Sequence, residues 1–471
     1  MAVGLFHAPA DQIHDGFTLA AYLNSLGLGC ALRRFWRGTP RGLALDELTG
    51  AASRLVLLSV GEENLEQTLR LVGPLSRRRE VILFGRQLHD PWLRNKALVQ
   101  GVSGVVVGDP RLVCKDLARQ LAQGVESVAD LTLAGLYHLG APGTPREPPR
   151  HLDSFPPGDY SHEGTQVQLA VPLRTSLGFP FPATLLAERV WEAPLRGVSP
   201  ERTAEIMALH VQEHGARRFL FTDLAANAAG DDLLRLAEHM VGRQLGQRVR
   251  WYATVWADPA LDARALNLLR RSGCRGLRLH VWSGSPALCR ELGLGVDHAV
   301  ALRICRDAAR EGIDLRPLLQ LGFPGEEEAD RIATHAWLAS ASEFVRAVDQ
   351  LSPCALRAGA PLARKEGLYF PLDCGPQGRH DGGENNDSQR GMWVREARTV
   401  CGALELDHPG RASRQFSARL EPAVRRRLDQ GVATALAAWP GWRRRWLHLA
   451  GVLHGREAFS GPLELQLDLD G

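Results

Sequence analysis

The sequence lacks any pair of closely spaced cysteines. Its 471 residues contain eight cysteines, and no two of them lie within ten residues of each other. This spacing excludes both the disulfide framework of a small secreted domain and a zinc site of the CxxC type. Scattered cysteines are usually small core residues, so we expect buried, unpaired thiols.

The sequence also lacks an excess of charge of one sign and any long apolar run. Its 56 basic and 53 acidic residues leave a net charge of +3, which does not favour nucleic acid as a partner. No stretch approaches the ~18 uninterrupted apolar residues of a membrane span. The start, MAVGLFHAPADQ, has no basic segment followed by an apolar one. We therefore expect a cytoplasmic protein without a signal peptide or a membrane segment.

Common hydrolase and nucleotide-binding motifs are missing as well. The chain has no Gly-x-Ser-x-Gly elbow and no P-loop. The stretch from His210 to His214 (HVQEH) places two imidazoles on one face of a predicted helix, as in one class of metalloprotease. No third ligand is evident, so we interpret this stretch as a solvated helix face without a metal.

What the sequence does contain is a repeated alternation of strands and helices. Buried-type strands such as Leu55–Val60 alternate with amphipathic helices over residues 1–125, which predicts a doubly wound α/β (Rossmann-like) domain. A Pro- and Gly-rich passage indicates a linker over 126–165. Repeated βα units then predict a partial α/β barrel over 166–365. Within it, Arg218–Phe221 and Arg250–Val255 are predicted strands, and Ser199 is the predicted N-cap of a helix that begins at Pro200. Residues 366–471 form a C-terminal extension, with a polar loop at Gly378–Gln389 and a helix at Arg419–Trp446.

Several short segments resemble one known family in their order and spacing. The first joins the two predicted domains, and the others correspond to barrel helices, strands and turns. They are Pro149–Tyr160, Ser199–Arg202, His214–Asp223, Arg271–Cys274, His280–Pro286, Gly322–Glu328 and Gly359–Leu362. Together they resemble the cobalamin-binding radical S-adenosylmethionine (SAM) proteins. The resemblance extends to about Leu362 and implies a cobalamin-binding-type domain followed by a radical SAM barrel.

The resemblance also shows where the family's chemistry is missing. Its Cys-x3-Cys-x2-Cys pattern supplies three thiolates to a [4Fe–4S] cluster, on the loop after the first barrel strand. Here this loop runs from Thr175 to Leu186, and its three cysteine positions hold Phe179, Ala183 and Leu186. None of these side chains can bind iron, so we predict an apolar plug in place of the cluster. Other cysteines are not spaced to substitute.

Two further positions agree with this loss. Trp282 occupies the position of a family glutamate that contributes to SAM binding, and Trp256 that of a basic residue after the third strand. Asp223, after the second strand, is either a strand-end cap or a ligand. With Gly284 and Gly325 it would form what remains of a pocket.

The N-terminal domain departs from the family in the same way. The nearest match to the cobalt-binding Asp-x-His-x-x-Gly motif is Asp11–Gly16, with the wrong spacing around His14. The family's small-residue turns are replaced by Phe84–Arg86 and Gly108–Arg111, although a nucleotide tail needs glycine to approach the backbone.

These observations predict a degenerate radical SAM-like protein, a pseudoenzyme that acts as a binding or scaffolding subunit. SAM, cobalamin and a [4Fe–4S] cluster are implied by the resemblance alone, and we predict that none is bound. A peptide or an active radical SAM paralogue is the expected partner, in specialised metabolism. Two alternatives stay open: an active cobalamin-dependent methyltransferase-like enzyme with an atypical cluster site, and a barrel used for cluster-free chemistry.

Overall fold

The structure is a computed structural model, which describes most of residues 1–354. The gaps are residues 7, 36–38, 51–53, 62–63, 141–142, 150–151, 162–169 and 187–193, and beyond 354 only residues 360, 361, 394, 397, 398 and 401 are described. The loop and the helix predicted in the C-terminal extension therefore lie outside the described residues. In the described part, one compact unit contains Met1–Trp256 and Asn267–Arg275, and a second contains Ala257–Leu266 and Gly276–Cys354.

The first sheet has six strands in the order β2-β1-β3-β4-β5-β6. All neighbours are parallel except β6, which pairs antiparallel to β5. Its strands are Ala2–Phe6 (β1), Ala31–Phe35 (β2), Leu55–Ser59 (β3), Glu80–Phe84 (β4), Gly104–Val106 (β5) and Leu136–Tyr137 (β6). The β3 sequence, LVLLS, is buried at every position, as expected for a parallel strand covered on both faces.

Five helices connect these strands. They are Ala10–Ser25 (α1), Arg41–Gly50 (α2), Leu65–Ser76 (α3), Pro91–Val99 (α4) and Pro110–Ala122 (α5). Both α4 and α5 begin with proline after an aspartate, and the Asp90 and Asp109 carboxylates each accept a hydrogen bond from the backbone N–H two residues on. The predicted doubly wound domain is therefore present.

The passage predicted as a linker is packed against this domain. It contributes β6, and Leu152, Phe155 and Tyr160 within it are buried. The Tyr160 ring stacks on that of Phe17 in α1, with 4.3 Å between centroids. Stacked aromatic pairs stabilise a contact by about 0.5–1.5 kcal/mol beyond the area they bury. The irregular, proline-rich sequence of the segment predicted as a linker shows no hydrophobic periodicity, so this packing could not be predicted from it.

The second sheet has the order β14-β13-β12-β11-β10-β7, and the short strands β8 and β9 form a separate antiparallel pair. The ranges are Val171–Leu173 (β7), Ser176–Leu177 (β8), Arg196–Gly197 (β9), Arg218–Phe221 (β10), Arg250–Val255 (β11), Cys274–Trp282 (β12), Asp314–Leu321 (β13) and Gln350–Pro353 (β14). In the first unit β10 pairs in parallel with β7 and β11, and in the second β13 pairs in parallel with β12 and β14. The predicted α/β fold with a partial barrel sheet is confirmed.

The helices of this region follow the predicted βα alternation. They are Pro200–His214 (α6), Asp232–Gly242 (α7), Ala263–Arg271 (α8), Pro286–Glu291 (α9), His298–Arg310 (α10) and Glu328–Ala341 (α11). As predicted, Ser199 caps α6, accepting a hydrogen bond from the Arg202 N–H, with Pro200 at the first helical position. The sequence analysis did not predict α11.

The seven described cysteines are all buried, as the sequence predicted, and none of them forms a disulfide. None of the described helices is both long and apolar enough to cross a membrane.

Candidate functional site

The loop that corresponds to the family's cluster loop is anchored at its start by Asp223, just after β10. The buried Asp223 carboxylate accepts hydrogen bonds from the backbone N–H and the hydroxyl of both Thr175 and Ser176, at 2.5–3.1 Å. These four donors stabilise the negative charge of the carboxylate, which would otherwise be costly to bury. In this structure Asp223 is thus a strand-end cap that fixes the entry of the loop.

An aromatic cluster fills the next part of the loop. The Phe179 ring, 3% exposed, meets the rings of Phe181 and Trp256 edge to face at 5.5 Å, and Phe181 stacks on Trp256 at 5.1 Å. Ala183 is 0% exposed, and Leu186 is partly buried. We call Phe179, Phe181 and Trp256 the aromatic plug. The aromatic plug brings two of the predicted degenerate positions, Phe179 and Trp256, into one apolar contact.

Asn227 holds the Trp256 backbone in place. Its side-chain amide donates to the Trp256 carbonyl at 3.1 Å, and its amide oxygen accepts from the Trp256 N–H at 2.9 Å. This reciprocal pair satisfies two buried backbone groups after β11. The sequence analysis missed both Asn227 and Phe181, because nothing in the local pattern links residues so far apart.

The remaining predicted positions lie in the second unit. Trp282 is buried at the end of β12, stacks on His280 at 4.5 Å, and has a φ of 64°. Positive φ is rare for a bulky residue and costs about 1–3 kcal/mol. The Gly284 N–H donates to Thr334 Oγ1 at 3.0 Å. Gly325 has a φ of 73°, in the turn before Glu326.

Burial perturbs the ionisation of Glu326. Its carboxylate accepts hydrogen bonds from the backbone N–H groups of Gly322 and Phe323, but burial still raises its pKa to about 6. It closes the turn that the sequence analysis assigned to the family motif, and its bonding is structural.

The two histidines of the HVQEH stretch do not form a solvated face. His210 is 1% exposed, and its ring lies 5.3 Å from that of Tyr160 and 5.5 Å from that of His214. Burial lowers the pKa of His210 to about 4. The solvated-face prediction is wrong for His210, because the supposed linker supplies Tyr160 to cover it. No group of three potential metal ligands occurs among the described residues.

A cavity of about 440 Å³ lies within the first unit, where the loops after β4 and β5 meet the proline-rich segment. The two turns that the resemblance assigned to cobalamin, at Gly85–Arg86 and Gly108–Arg111, both line it. His14 also lines it, with Nδ1 3.1 Å from the Pro172 carbonyl oxygen. Burial and the nearby Arg174 lower the pKa of His14 to about 3, so the imidazole is neutral at physiological pH.

Comparison with known proteins agrees with this architecture. The chain aligns with the structure of OxsB, described as a cobalamin-dependent SAM radical enzyme with aqua-cobalamin bound, at a TM-score of 0.70 and 12% identity, over 96% of this chain and 76% of OxsB. The TM-score is 0.62, at 17% identity, for the radical SAM methyltransferase TsrM from Kitasatospora setae with cobalamin and a [4Fe–4S] cluster bound, over 78% of this chain and 74% of TsrM. The chain has the fold of the cobalamin-dependent radical SAM enzymes.

Sequence comparison adds a curated relative that matches part of the chain. An uncharacterized methyltransferase from Pyrococcus horikoshii is 24% identical over 250 residues, which is 50% of this chain and 52% of the relative. The chain thus spans about half the length of this curated relative. No protein-family model matches the sequence.

At the positions that the resemblance assigns to cluster cysteines, the described residues do not fit an iron–sulfur cluster. These three positions hold buried or partly buried apolar side chains, and the aromatic plug packs around one of them. The cysteines of a [4Fe–4S] cluster bind iron as thiolates. Burial raises the pKa of Cys289 and of Cys305 to about 12, so these thiols stay protonated at neutral pH.

Proposed function

We propose that this protein is a degenerate member of the cobalamin-dependent radical SAM fold that binds no [4Fe–4S] cluster and does not cleave SAM. It acts as a binding or scaffolding subunit. The observation that carries the proposal is the aromatic plug, which packs an apolar contact at the loop that would present cluster ligands.

The chemistry of the family supports this proposal. Radical SAM cleavage requires an iron with an open coordination position, because the amino and carboxylate groups of SAM bind that iron. Apolar side chains at Phe179, Ala183 and Leu186 provide no ligand that could hold it. The edge-to-face and stacked rings stabilise the loop by about 0.5–1.5 kcal/mol per pair, which supports a loop that needs no cluster to fold.

For the partner, we propose a peptide or an active radical SAM paralogue. This follows from the resemblance to a family that works in specialised metabolism and peptide modification. A subunit of this kind would keep the scaffold, because the scaffold presents the binding surface, while losing the ligands needed for catalysis.

The direct test is the iron and acid-labile sulfide content of the full chain after anaerobic purification and reconstitution. We expect both to stay at background, while an active relative treated in parallel takes up its cluster. About four irons per chain, the content of a [4Fe–4S] cluster, would refute the proposal.

A further inference from the structure

The cavity of the first unit has a strongly cationic lining. Among the described residues that line it are six arginines and only two acidic side chains, Asp15 and Asp109. The arginines are Arg86, Arg94, Arg111, Arg146, Arg174 and Arg196. A cleft lined by charge of one sign raises the local concentration of oppositely charged ligands.

Two of these arginines are already neutralised by the two aspartates. Arg111 donates from Nε and Nη2 to the two Asp109 oxygens at 3.0 and 2.6 Å, and Arg174 Nη1 lies 2.5 Å from Asp15 Oδ1. Outside the lining, Asp116 pairs with Arg146 at 2.8 Å. Arg94 packs over the Tyr137 ring and forms no ion pair with a described residue, so it keeps a positive charge in the lining.

One buried polar group in the cavity wall has no partner. The Arg174 side chain is 8% exposed, and its Nε–H makes no hydrogen bond with any described residue. An unsatisfied buried donor costs about 1–3 kcal/mol. An anionic oxygen at this point of the wall would remove that cost.

Part of the wall is apolar. Leu152, Phe155, Leu173, Leu177, Val198 and Ile206 line it. The volume, about 440 Å³, lies in the lower half of the range of small-molecule sites, ~300–1,000 Å³. A ligand that suits this wall has a compact apolar body and an acidic group.

Cobalamin does not match this chemistry. Its nucleotide tail would need small residues at the two sheet-edge turns. Each turn keeps one glycine, Gly85 or Gly108, but Arg86, Pro110 and Arg111 also line the cavity there. The Arg111 guanidinium is fixed 3.6 Å from the Phe155 ring centroid and by its ion pair with Asp109. These residues occupy the approach with bulky groups and add charge.

We propose that this cavity binds a compact amphipathic organic anion, a carboxylate or phosphate on an apolar body, in place of cobalamin. The inference rests on the proposed binding role and names the class of molecule bound.

The test uses the full chain and three probes that share one ring system: 2-naphthoate, 2-naphthyl phosphate and the neutral 2-naphthamide. Calorimetric titration should show one anion bound per chain, with at least about tenfold higher affinity than the amide. The better of the two anions identifies the acidic group. Equal affinity for all three probes, or no binding up to about 1 mM, would overturn the inference.

Variants locate the site. Two lining arginines, Arg94 and Arg146, are changed to glutamine. The Arg94 guanidinium lies 4.6 Å from the Tyr137 ring centroid. R94Q and R146Q should each weaken anion binding about fivefold and leave amide binding unchanged. The control is R243Q, because Arg243 is 44% exposed and does not line the cavity. Equal weakening in all three variants would overturn the inference.

Two further outcomes separate this inference from the proposed function. Hydroxocobalamin that co-elutes stoichiometrically with the protein and blocks both anions would overturn the inference and leave the iron result standing. If the protein binds the anions selectively and also takes up iron, the result would support the anion site and refute the proposal that the protein is a pseudoenzyme.

Discussion

Asp223 shows how a residue in a family motif position can serve the fold alone. Its carboxylate accepts from two backbone N–H groups and two hydroxyls at the entry of the cluster loop. The sequence places an acid there, but only the structure shows that its carboxylate accepts from Thr175 and Ser176.

We expect Asp223→Ala to lower the free energy of unfolding by about 3 kcal/mol, because buried donors lose their acceptor. Asp223→Asn keeps one acceptor oxygen and should cost about 1 kcal/mol. Urea denaturation measures both. Asp231→Ala is the matched control, since the exposed Asp231 side chain caps nothing. Equal losses in Asp223→Ala and Asp231→Ala would contradict the capping role.

His210 should make the protein acid-sensitive. Its folded pKa of about 4 lies below the unfolded value of 6.5, so the unfolded chain binds the extra proton as pH falls. The stability that this histidine contributes is present above pH 6.5 and is lost as pH falls towards 4. Between pH 7 and pH 5 the loss should be about 2 kcal/mol.

His210→Phe keeps an aromatic ring beside Tyr160 and should remove most of that loss. Urea denaturation of both proteins at pH 7 and pH 5 provides the comparison. An unchanged pH dependence in the variant would assign the acid sensitivity to other groups, such as His14.

At the scale of secondary structure, Gly284 allows α11 to approach the end of β12. A Cβ at this position would lie 2.5 Å from Thr334 Cα and 2.8 Å from Trp337 Cβ. We expect Gly284→Ala to cost about 1–3 kcal/mol, since the clash involves backbone. Gly242→Ala, at the end of α7 with open space around it, is the control and should be neutral or stabilising. A neutral Gly284→Ala, measured by urea denaturation, would refute this close approach.

The cluster loop offers a gain-of-binding test. Restoring cysteines at positions 179, 183 and 186 recreates the Cys-x3-Cys-x2-Cys spacing and removes one ring of the aromatic plug. We expect the triple variant to take up iron and sulfide on anaerobic reconstitution. The triple serine variant at the same positions should not, because a soft thiolate is required. Equal iron in both variants would contradict this account of the loop.

Elements defined by local residues could be predicted from the sequence, and elements defined by distant contacts could not. Contiguous residues define the Ser199 cap and the strands β10 and β11, and these elements appear at the predicted bounds. The Phe181–Trp256 stack joins residues 75 positions apart. Short-range periodicity carries no information about such a pair.

For the whole molecule, the proposal predicts no SAM turnover. The reconstituted full chain with SAM and a strong reductant should consume SAM no faster than buffer alone, since a chain without a cluster has no iron to bind and reduce SAM. Chromatography of SAM over time gives the measurement, with an active relative as control. Consumption that scales with protein concentration would contradict the pseudoenzyme assignment.

The Pro172 carbonyl has a consequence for how this protein can be divided. It is hydrogen-bonded to the His14 imidazole from α1 and to the Tyr160 hydroxyl from the proline-rich segment, so β7 shares its surroundings with the first sheet. A recombinant fragment that ended before residue 170 would leave these two polar groups without their acceptor. A chimaera that joins the first sheet to the barrel of a homologous protein should therefore take β7 together with the first sheet.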